Sequence, residues 1–483
     1  MKNLIFLLFF FFLSVVAVQA SPVVKLDEGF LDKLIKESPP SIENIEASFL
    51  AVDSGRTRAR DIYAPTVSAS ANILDSDEKS LNSFMPTTTK YKNMMVSINK
   101  PLKYGAALGG KVFTEKSTST QLANATTTGY GVSLSLDLYK DLFGRTSRAN
   151  LNLAHVTSKR ANLEREIQIA GFRNNIRKLY WSLVANEEAL KITKTLLASS
   201  EQQLKEAKRR FKSGVADKGE IARYNSQISS RKAGLISIRW EKSQLQQQLK
   251  LLLPKLSESE IELAPYNIDQ TVGTVLACSA VIKKFESAPL DFTKYDEVVD
   301  FLNDEERSQK KITNSYDSLD LKLVGEYEST GKAFNQSDSL DDLSDDGRST
   351  VSVGLQFSMP LGSTKKDTRQ VQEEINKKMY SAKKKQALGQ VKAYHTQTIK
   401  SVALLNEIVF NQKENTKHLK ESLRVSKRKY SQARISAQQL VQEQDAYLQS
   451  NLDEISTKLA VINLLIDYFN VFTDTPCELN RNL

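Results

Sequence analysis

Glycine and proline are scarce in this chain, 19 and 11 among 483 residues, so little interrupts the backbone and long helices are favoured. Histidine is scarcer still. His155, His395 and His418 are scattered, and the two cysteines show no CxxC spacing, which excludes a recognisable zinc or redox cluster. No GxSxG, HExxH or phosphate-cradling glycine loop occurs, and no pair of carboxylates is set as an acid and its base. The expectation is therefore a non-enzyme without cofactor or metal. Beyond residue 20 no apolar run approaches the roughly 20 residues that a membrane helix needs. If the mature chain enters lipid, it must do so as a closed β-barrel, because only helices and barrels satisfy every backbone polar group there.

What the chain does have begins at its N-terminus. Lys2 precedes an apolar stretch from Leu4 to Val18, and Val18-Gln19-Ala20 offers the small residues of a cleavage site, with Ser21 as the first mature residue. Residues 1–20 read as an export signal. The net charge of +10 falls by one when Lys2 leaves, and the remaining basic residues spread over helical faces beside glutamates. That pattern describes a solvated coiled-coil surface rather than a nucleic-acid patch. In an oxidising compartment Cys278 and Cys477 permit one disulfide.

One plan is used twice along the chain. The first unit spans 21–253, with a short helix at 42–63, strands within 66–140, a long helix at 145–211 and a returning helix at 218–252. A connector at 254–290 follows. The second unit spans 291–473, with a short helix at 295–315, strands within 319–359, a long helix at 365–430 and a returning helix at 437–472; 474–483 is a tail. Pro39-Pro40 opens the first short helix and Pro65 follows it as a stop.

The strands show a period of two. Val132, Leu134, Leu136 and Leu138 alternate with Ser133, Ser135, Asp137 and Tyr139, and Val351, Val353, Leu355 and Phe357 alternate with Ser352, Gly354, Gln356 and Ser358. Val67, Ala69, Ala71 and Ile73 behave likewise. One apolar and one polar face suit a wall between lipid and water, although a soluble sandwich strand has the same local pattern. Asp75–Lys90, Ser117–Thr128 and Phe334–Gly347 read as polar loops, and the acidic spacing in the last is not that of an EF-hand. Tyr91–Leu102 and Leu108–Lys116, joined at Tyr104-Gly105, add two strands to the first unit. Six strands per chain would give a trimeric barrel of roughly 18, with a wide mouth.

The helices carry the strongest signal. From Arg145 to Phe211 no proline occurs, Gly171 is the only glycine, and apolar residues recur at three- and four-residue spacing. Lys365–Tyr430 repeats this. Runs of this size are about 100 Å long and bury their stripes only as coiled coils.

At their ends these helices resemble the outer-membrane efflux family typified by TolC. Phe211-Lys212-Ser213-Gly214 followed by Glu220-Ile221, and Tyr430-Ser431-Gln432-Ala433 followed by Gln439-Leu440-Val441, match that family's turns. Leu142-Phe143-Gly144 and Pro360-Leu361-Gly362 match its corners between barrel and helix. The resemblance implies an α+β membrane protein in the outer membrane: a homotrimer whose strands form one barrel, continued by a coiled-coil tunnel in the periplasm. It implies a passive exit duct, for efflux or type I secretion, coupled to an inner-membrane transporter through a periplasmic adaptor, with no nucleic acid as partner. Phe211, Gly214, Asp217, Glu220, Tyr430, Ala433, Arg434 and Gln439 would form the periplasmic entrance and adaptor tip. Three positions depart from the family: Ala433 replaces a glycine, and Gln439 and Gln442 stand where members often place acidic residues, while Asp217, Glu220 and Arg434 are left as candidates for a gating ion pair or as ordinary solvated charge. The competing reading is a structural coiled coil or adaptor of the cell envelope without channel activity.

Overall fold

The computed structural model describes residues 22–78, 86–119, 124–284, 293–359 and 361–471. The proposed export signal lies outside the described residues. Among them no helix is long and apolar enough to cross a membrane.

Two 68-residue helices dominate, α3 (Arg145–Lys212) and α8 (Thr364–Ser431). Each is shadowed by two shorter ones. The first short helix, α2 (Pro40–Asp61), and the returning helix α4 (Lys218–Leu252) both pack on α3, whereas α6 (Lys294–Asn314) and α9 (Ala437–Val471) pack on α8. Because α6 and α9 also touch α3, the helices form a wall of four columns in the order α2/α4, α3, α6/α9, α8. Specific pairs set the register between columns. Asp53 of α2 meets Ser158, Arg160 of α3 reaches Glu305 of α6 at 2.7 Å, and Lys242 of α4 meets Glu187 at 2.6 Å.

Continuing the wall is a six-stranded antiparallel meander: β2 (Thr66–Asp75), β3 (Thr88–Leu102), β4 (Ala106–Ser119), β5 (Ala125–Asp137), β7 (Asp320–Ala333) and β8 (Arg348–Ser358), in that spatial order. The extra hairpin β3–β4 lies within the sheet, between β2 and β5. Register places Val67, Ile98, Gly110, Val132, Tyr327 and Val351 in one row across all six strands. Adjacent rows on that face carry Val96 and Val112, then Leu108, Leu134 and Val353. The opposite face carries Ser68 hydrogen-bonded to Ser97 at 2.8 Å, Tyr91 and Asn93 on Glu115, and Lys111 held 2.7 Å from both Glu326 and Glu328. The apolar face is the open one, with Ile73, Val351 and Val353 each more than two-thirds exposed, while Asn93, Lys111 and Ser133 are half-buried. A soluble sheet has the reverse arrangement.

The corner joining sheet to helix is built from glycines. Gly144, at φ +72°, caps α3, and a Cβ there would lie 1.9 Å from the carbonyl oxygen of Lys103 in the β3–β4 turn. Gly105, in that turn at φ +71°, would place a Cβ 2.0 Å from the carbonyl oxygen of Asp141. The hairpin turn and the corner therefore interlock, backbone against backbone. Asp141 then accepts from the amides of Thr146 and Ser147 in the first turn of α3, at 2.7 and 2.9 Å.

Three findings differ from the sequence reading. Phe334–Gly347, read as a polar loop, contains helix α7 (Gln336–Asp346), because Asn335 caps the amide of Asp338 at 2.9 Å and Ser339 packs onto Thr128. Residues 23–36, given no element, form β1 (Val23–Leu26) and α1 (Glu28–Lys36). The connector supplies β6 (Glu260–Leu263), which pairs in parallel with β1, and α5 (Ile268–Lys284). Together with the middle of α3 these pieces bury Leu26, Leu31, Ile176, Leu183, Leu249 and Val272 in a belt halfway along the wall. Glu28, half-buried there, accepts from the indole of Trp181 at 2.6 Å and pairs with Arg177 at 3.1 Å; desolvation pushes its carboxyl above the usual range. Cys278 of α5 belongs to this belt and is disulfide-bonded; Cys477 lies outside the described residues.

Gly331 on β7 lies under α7, and a Cβ would stand 2.2 Å from the carbonyl oxygen of Ser339 and 2.4 Å from the amide nitrogen of Leu343. Gly331→Ala is expected to undock α7 while leaving the sheet intact. Faster proteolysis within 336–346 at unchanged melting of the helices would show it.

Candidate entrance site at the helical tips

Both long helices end in the same way. The amides of Gly214 and Val215 donate to the carbonyls of Phe211 and Arg210 at 3.0 and 2.9 Å. Those of Ala433 and Arg434 donate to Tyr430 and Lys429 at 2.9 and 2.8 Å. This is the Schellman closure, which requires a left-handed residue after the cap. Gly214 supplies it at φ +73° and Ala433 at φ +60°. A short turn follows each closure, and a side chain caps the returning helix: Asp217 accepts from the amide of Glu220 at 2.7 Å, and Ser436 from that of Gln439 at 3.2 Å. Asp217 is thus a helix cap.

Ala433 holds a conformation that costs a non-glycine residue about 1–2 kcal/mol. Ala433→Gly is expected to stabilise the second tip by roughly 1 kcal/mol, with the gain in the native state offset by a looser unfolded chain. Amide exchange at Ala433 and Arg434 would slow accordingly.

Beneath the turns the two helical hairpins meet. Tyr430 and Tyr224 are fully buried and pack edge to face at 6.1 Å, with Ala207, Leu423, Ala437 and Leu440 around them. The Tyr430 hydroxyl donates to the Glu220 carboxylate. Arg210 approaches the same carboxylate at 3.6 Å, lies over the Tyr430 ring at 4.7 Å, and donates to the Tyr430 carbonyl at 3.5 Å. Burial and the Glu220 hydrogen bond raise the Tyr430 phenol far above its ordinary value, and burial pushes that of Tyr224 up to about 12. Both therefore stay protonated, and Tyr430 stays a donor.

Of the sequence-derived candidates, Glu220 and Tyr430 come together. Phe211 and Gly214 belong to the outer surface of the first turn, and Arg434 and Gln439 are exposed on the second. The basic partner of Glu220 is Arg210, from the last turn of α3, where the sequence reading had left Arg434 as the candidate. Arg210 sits in a run of similar charges (Lys208, Arg209, Arg210, Lys212), so nothing local singles it out.

A second polar contact between the hairpins was missed. Arg231 of α4 is buried beside Ser200, donates to the carbonyl of Leu196 at 2.7 Å, and pairs with Asp445 of α9 at 3.1 Å. Gln227 also reaches Asp445, and Gln444 reaches Gln203 at 2.7 Å. Burial lowers the Arg231 guanidinium, with Asp445 opposing that shift. The signal was legible: Tyr224, Ile228, Arg231 and Leu235 share one helical stripe, and a charge inside a buried stripe requires a partner. Asp445→Ala, which strands a buried cation, is expected to lower thermal stability more than Arg231→Leu, which removes it. Above these residues a groove of about 730 Å³ runs between α4 and α9, lined by Arg223, Ser226, Ser230, Gly234, Gln438 and Gln442.

No protein-family model matches the sequence, and no curated protein matches it by sequence. Solved structures do match it. The outer membrane protein VceC from Vibrio cholerae superposes with a TM-score of 0.67 over 91% of this chain and 95% of its own, at 14% identity. The CmeC outer membrane channel of Campylobacter jejuni gives 0.62 over 94% and 89%, at 13% identity, and the open-state MtrE outer membrane channel of Neisseria gonorrhoeae 0.59 over 92% and 88%, at 15%. The chain has the TolC-like outer-membrane channel fold. In that fold the Arg210–Glu220–Tyr430 cluster occupies the tip farthest from the sheet, and the Arg231–Asp445 contact lies next above it.

Proposed function

We propose that this chain is the subunit of a passive outer-membrane exit duct. In this reading it is a homotrimer without catalytic activity, whose helical part stands in the periplasm. There it couples through an adaptor to an inner-membrane transporter, in efflux or type I secretion. The observation that carries the reading is the inverted sheet, apolar on its open face and polar on its enclosed face, set directly on a four-column wall of helices. Such a sheet is stable only with lipid against its apolar side and water against the other. The tip cluster supports a gate, since it ties the two hairpins of one subunit together at the end where solute would enter. The groove between α4 and α9 supports adaptor docking, because its small and amide side chains leave room for a helical hairpin.

Reconstitution of the purified chain in planar bilayers tests this. Discrete conductance steps, with a carbonate-resistant oligomer that dissociates on heating, are expected. A carbonate-extractable protein that never conducts would instead favour a structural coiled coil or an adaptor.

A further inference from the structure

We propose that Arg145, Arg148 and Lys311, just below the corner between helical wall and sheet, form a docking site for the phosphodiester headgroup of an anionic phospholipid in the periplasm-facing leaflet. The membrane itself, and the choice of which side of the wall is outermost, rest on the duct reading.

The corner lies at headgroup level. Every connection between wall and sheet exposes a large apolar or aromatic side chain: Ile62 after α2, Tyr104 in the β3–β4 turn, Tyr139 and Phe143 before α3, Tyr316 after α6 and Leu361 before α8. All are more than half exposed. Aromatic rings gather where hydrocarbon gives way to headgroups. The headgroup layer is roughly 5–8 Å deep on each side of the hydrocarbon. Arg145 and Arg148 stand in the first turn of α3 and Lys311 in the last turn of α6, so all three lie within about 6 Å of the corner along the helix axes.

Charge complementarity names the occupant. Between α3 and α6 the three cations line a pocket of about 380 Å³, completed by Ala149, Asn152 and Ser308. Asn152 donates to the Ser308 hydroxyl at 2.8 Å, and Arg148 to the carbonyl of Gly144 at 3.4 Å. No carboxylate lines the pocket, and among the described residues none forms an ion pair with Arg145, Arg148 or Lys311. Other cations of the same two helices are paired, Arg160 with Glu305 at 2.7 Å and Lys294 with Glu166 at 2.9 Å. A cleft lined by one sign of charge concentrates the opposite ion. Guanidinium forks match phosphate oxygens bidentately, and an ammonium adds a point charge. A phospholipid gains twice here, because its acyl chains then lie against Tyr139 and Phe143 just above; a free anion gains only the charges.

The positive field extends down one stripe of α3. Arg148, His155 and Lys159 follow one another at seven- and four-residue steps, with Arg56 and Arg60 of α2 nearby. Burial, and then the charges of Lys159, Arg56 and Arg60, hold the His155 imidazole below its ordinary value. Asp53, 3.8 Å from Arg56, offsets part of this charge.

The same stripe fixes the side of the wall. Farther down, at Arg173 and Arg177, it carries α1, through Asp32 at 3.5 Å and Glu28 at 3.1 Å. The pocket therefore faces the side on which the belt lies. In a duct of three copies, about twelve columns 8–10 Å apart leave a bore of roughly 20–30 Å after helix thickness is subtracted. Three belts, each a helix thick, would plug that bore, so belt and pocket lie outside it. Because α3 and α6 are the inner columns of the wall, a neighbouring copy does not cover the pocket.

The test uses the full chain purified in detergent, with phosphatidylglycerol or phosphatidylcholine added in graded amounts and bound lipid counted by native mass spectrometry. Preferential binding of phosphatidylglycerol is expected. The triple variant Arg145→Gln, Arg148→Gln, Lys311→Gln should weaken it by about fivefold per cation, roughly a hundredfold in all. A charge-matched variant lower on α8, Lys377→Gln, Lys385→Gln, Lys413→Gln, should bind as the parent does. Heat-modifiable oligomer and conductance should be unchanged in both, which separates lost binding from lost folding. Equal binding of the two lipids, or equal weakening in the two variants, would overturn the site. So would displacement of the lipid by millimolar inorganic phosphate, which would mark a free-anion pocket. A conducting channel without lipid preference would overturn the site and leave the duct reading intact. A chain that binds phosphatidylglycerol through these residues yet never conducts would keep the site and sink the duct reading.

Discussion

Gly144→Ala is expected to abolish assembly of the six-stranded sheet. The substitution forces φ +72° on a residue with a Cβ and drives that Cβ to 1.9 Å from the Lys103 carbonyl oxygen and 2.8 Å from the Tyr104 Cα, all backbone atoms of a turn that cannot swing aside. The left-handed conformation alone costs about 1–2 kcal/mol. Displacing the β3–β4 turn adds to this and brings the total above the ~4 kcal/mol that marks an exceptional substitution. Two other glycines calibrate the effect. Gly362 has φ +94° but open space around it, so Gly362→Ala should show the conformational cost alone. Gly171 is helical with open space, so Gly171→Ala should stabilise by roughly 0.5–1 kcal/mol. The yield of heat-modifiable oligomer in membranes should fall in the order Gly171→Ala, Gly362→Ala, Gly144→Ala. Equal yields for the last two would show that the hairpin does not interlock with the corner.

On the proposed duct reading, Glu220→Ala should have the largest effect on conductance. The carboxylate is the common acceptor of the Tyr430 hydroxyl and the partner of Arg210, and both depend on it in a part-buried setting. Removing an acceptor of a charge-assisted contact and leaving its donors in place costs about 1.5–3 kcal/mol. That loss falls on the arrangement in which the two hairpin tips are tied. Each 1.4 kcal/mol shifts the balance between tied and parted tips about tenfold. Single-channel records of Glu220→Ala should therefore show the larger conductance level occupied at least ten times as often. Tyr430→Phe keeps the ring, its packing on Tyr224 and the Arg210 stacking, and should give a smaller shift in the same direction. Unchanged records for both variants would mean that the cluster holds the hairpins together without governing passage.

Much of this was legible before any coordinates because each signal is local. A stripe at three- and four-residue spacing without a breaker can only be a long helix, and the expected 145–211 and 365–430 lie within the observed Arg145–Lys212 and Thr364–Ser431. The resemblance to the family's turns marked Gly214 and flagged Ala433 as a departure, and both hold the left-handed shape, at φ +73° and +60°. Helix α7 escaped because its acidic composition resembles a loop, and the groups that hold it, Thr128 and Gly331, belong to other elements. The parallel pairing of β1 with β6 escaped because two four-residue strands carry no periodicity of their own.

The sequence by itself determined which segments are rods, which are strands and which residues turn them, because those choices depend on neighbours a few positions apart. Only the tertiary structure decided that Glu220 answers to Arg210, that Arg231 finds Asp445, and that the sheet opens its apolar face. Those outcomes depend on distances between chain segments far apart in sequence, where many partners share the same chemistry and only geometry selects among them.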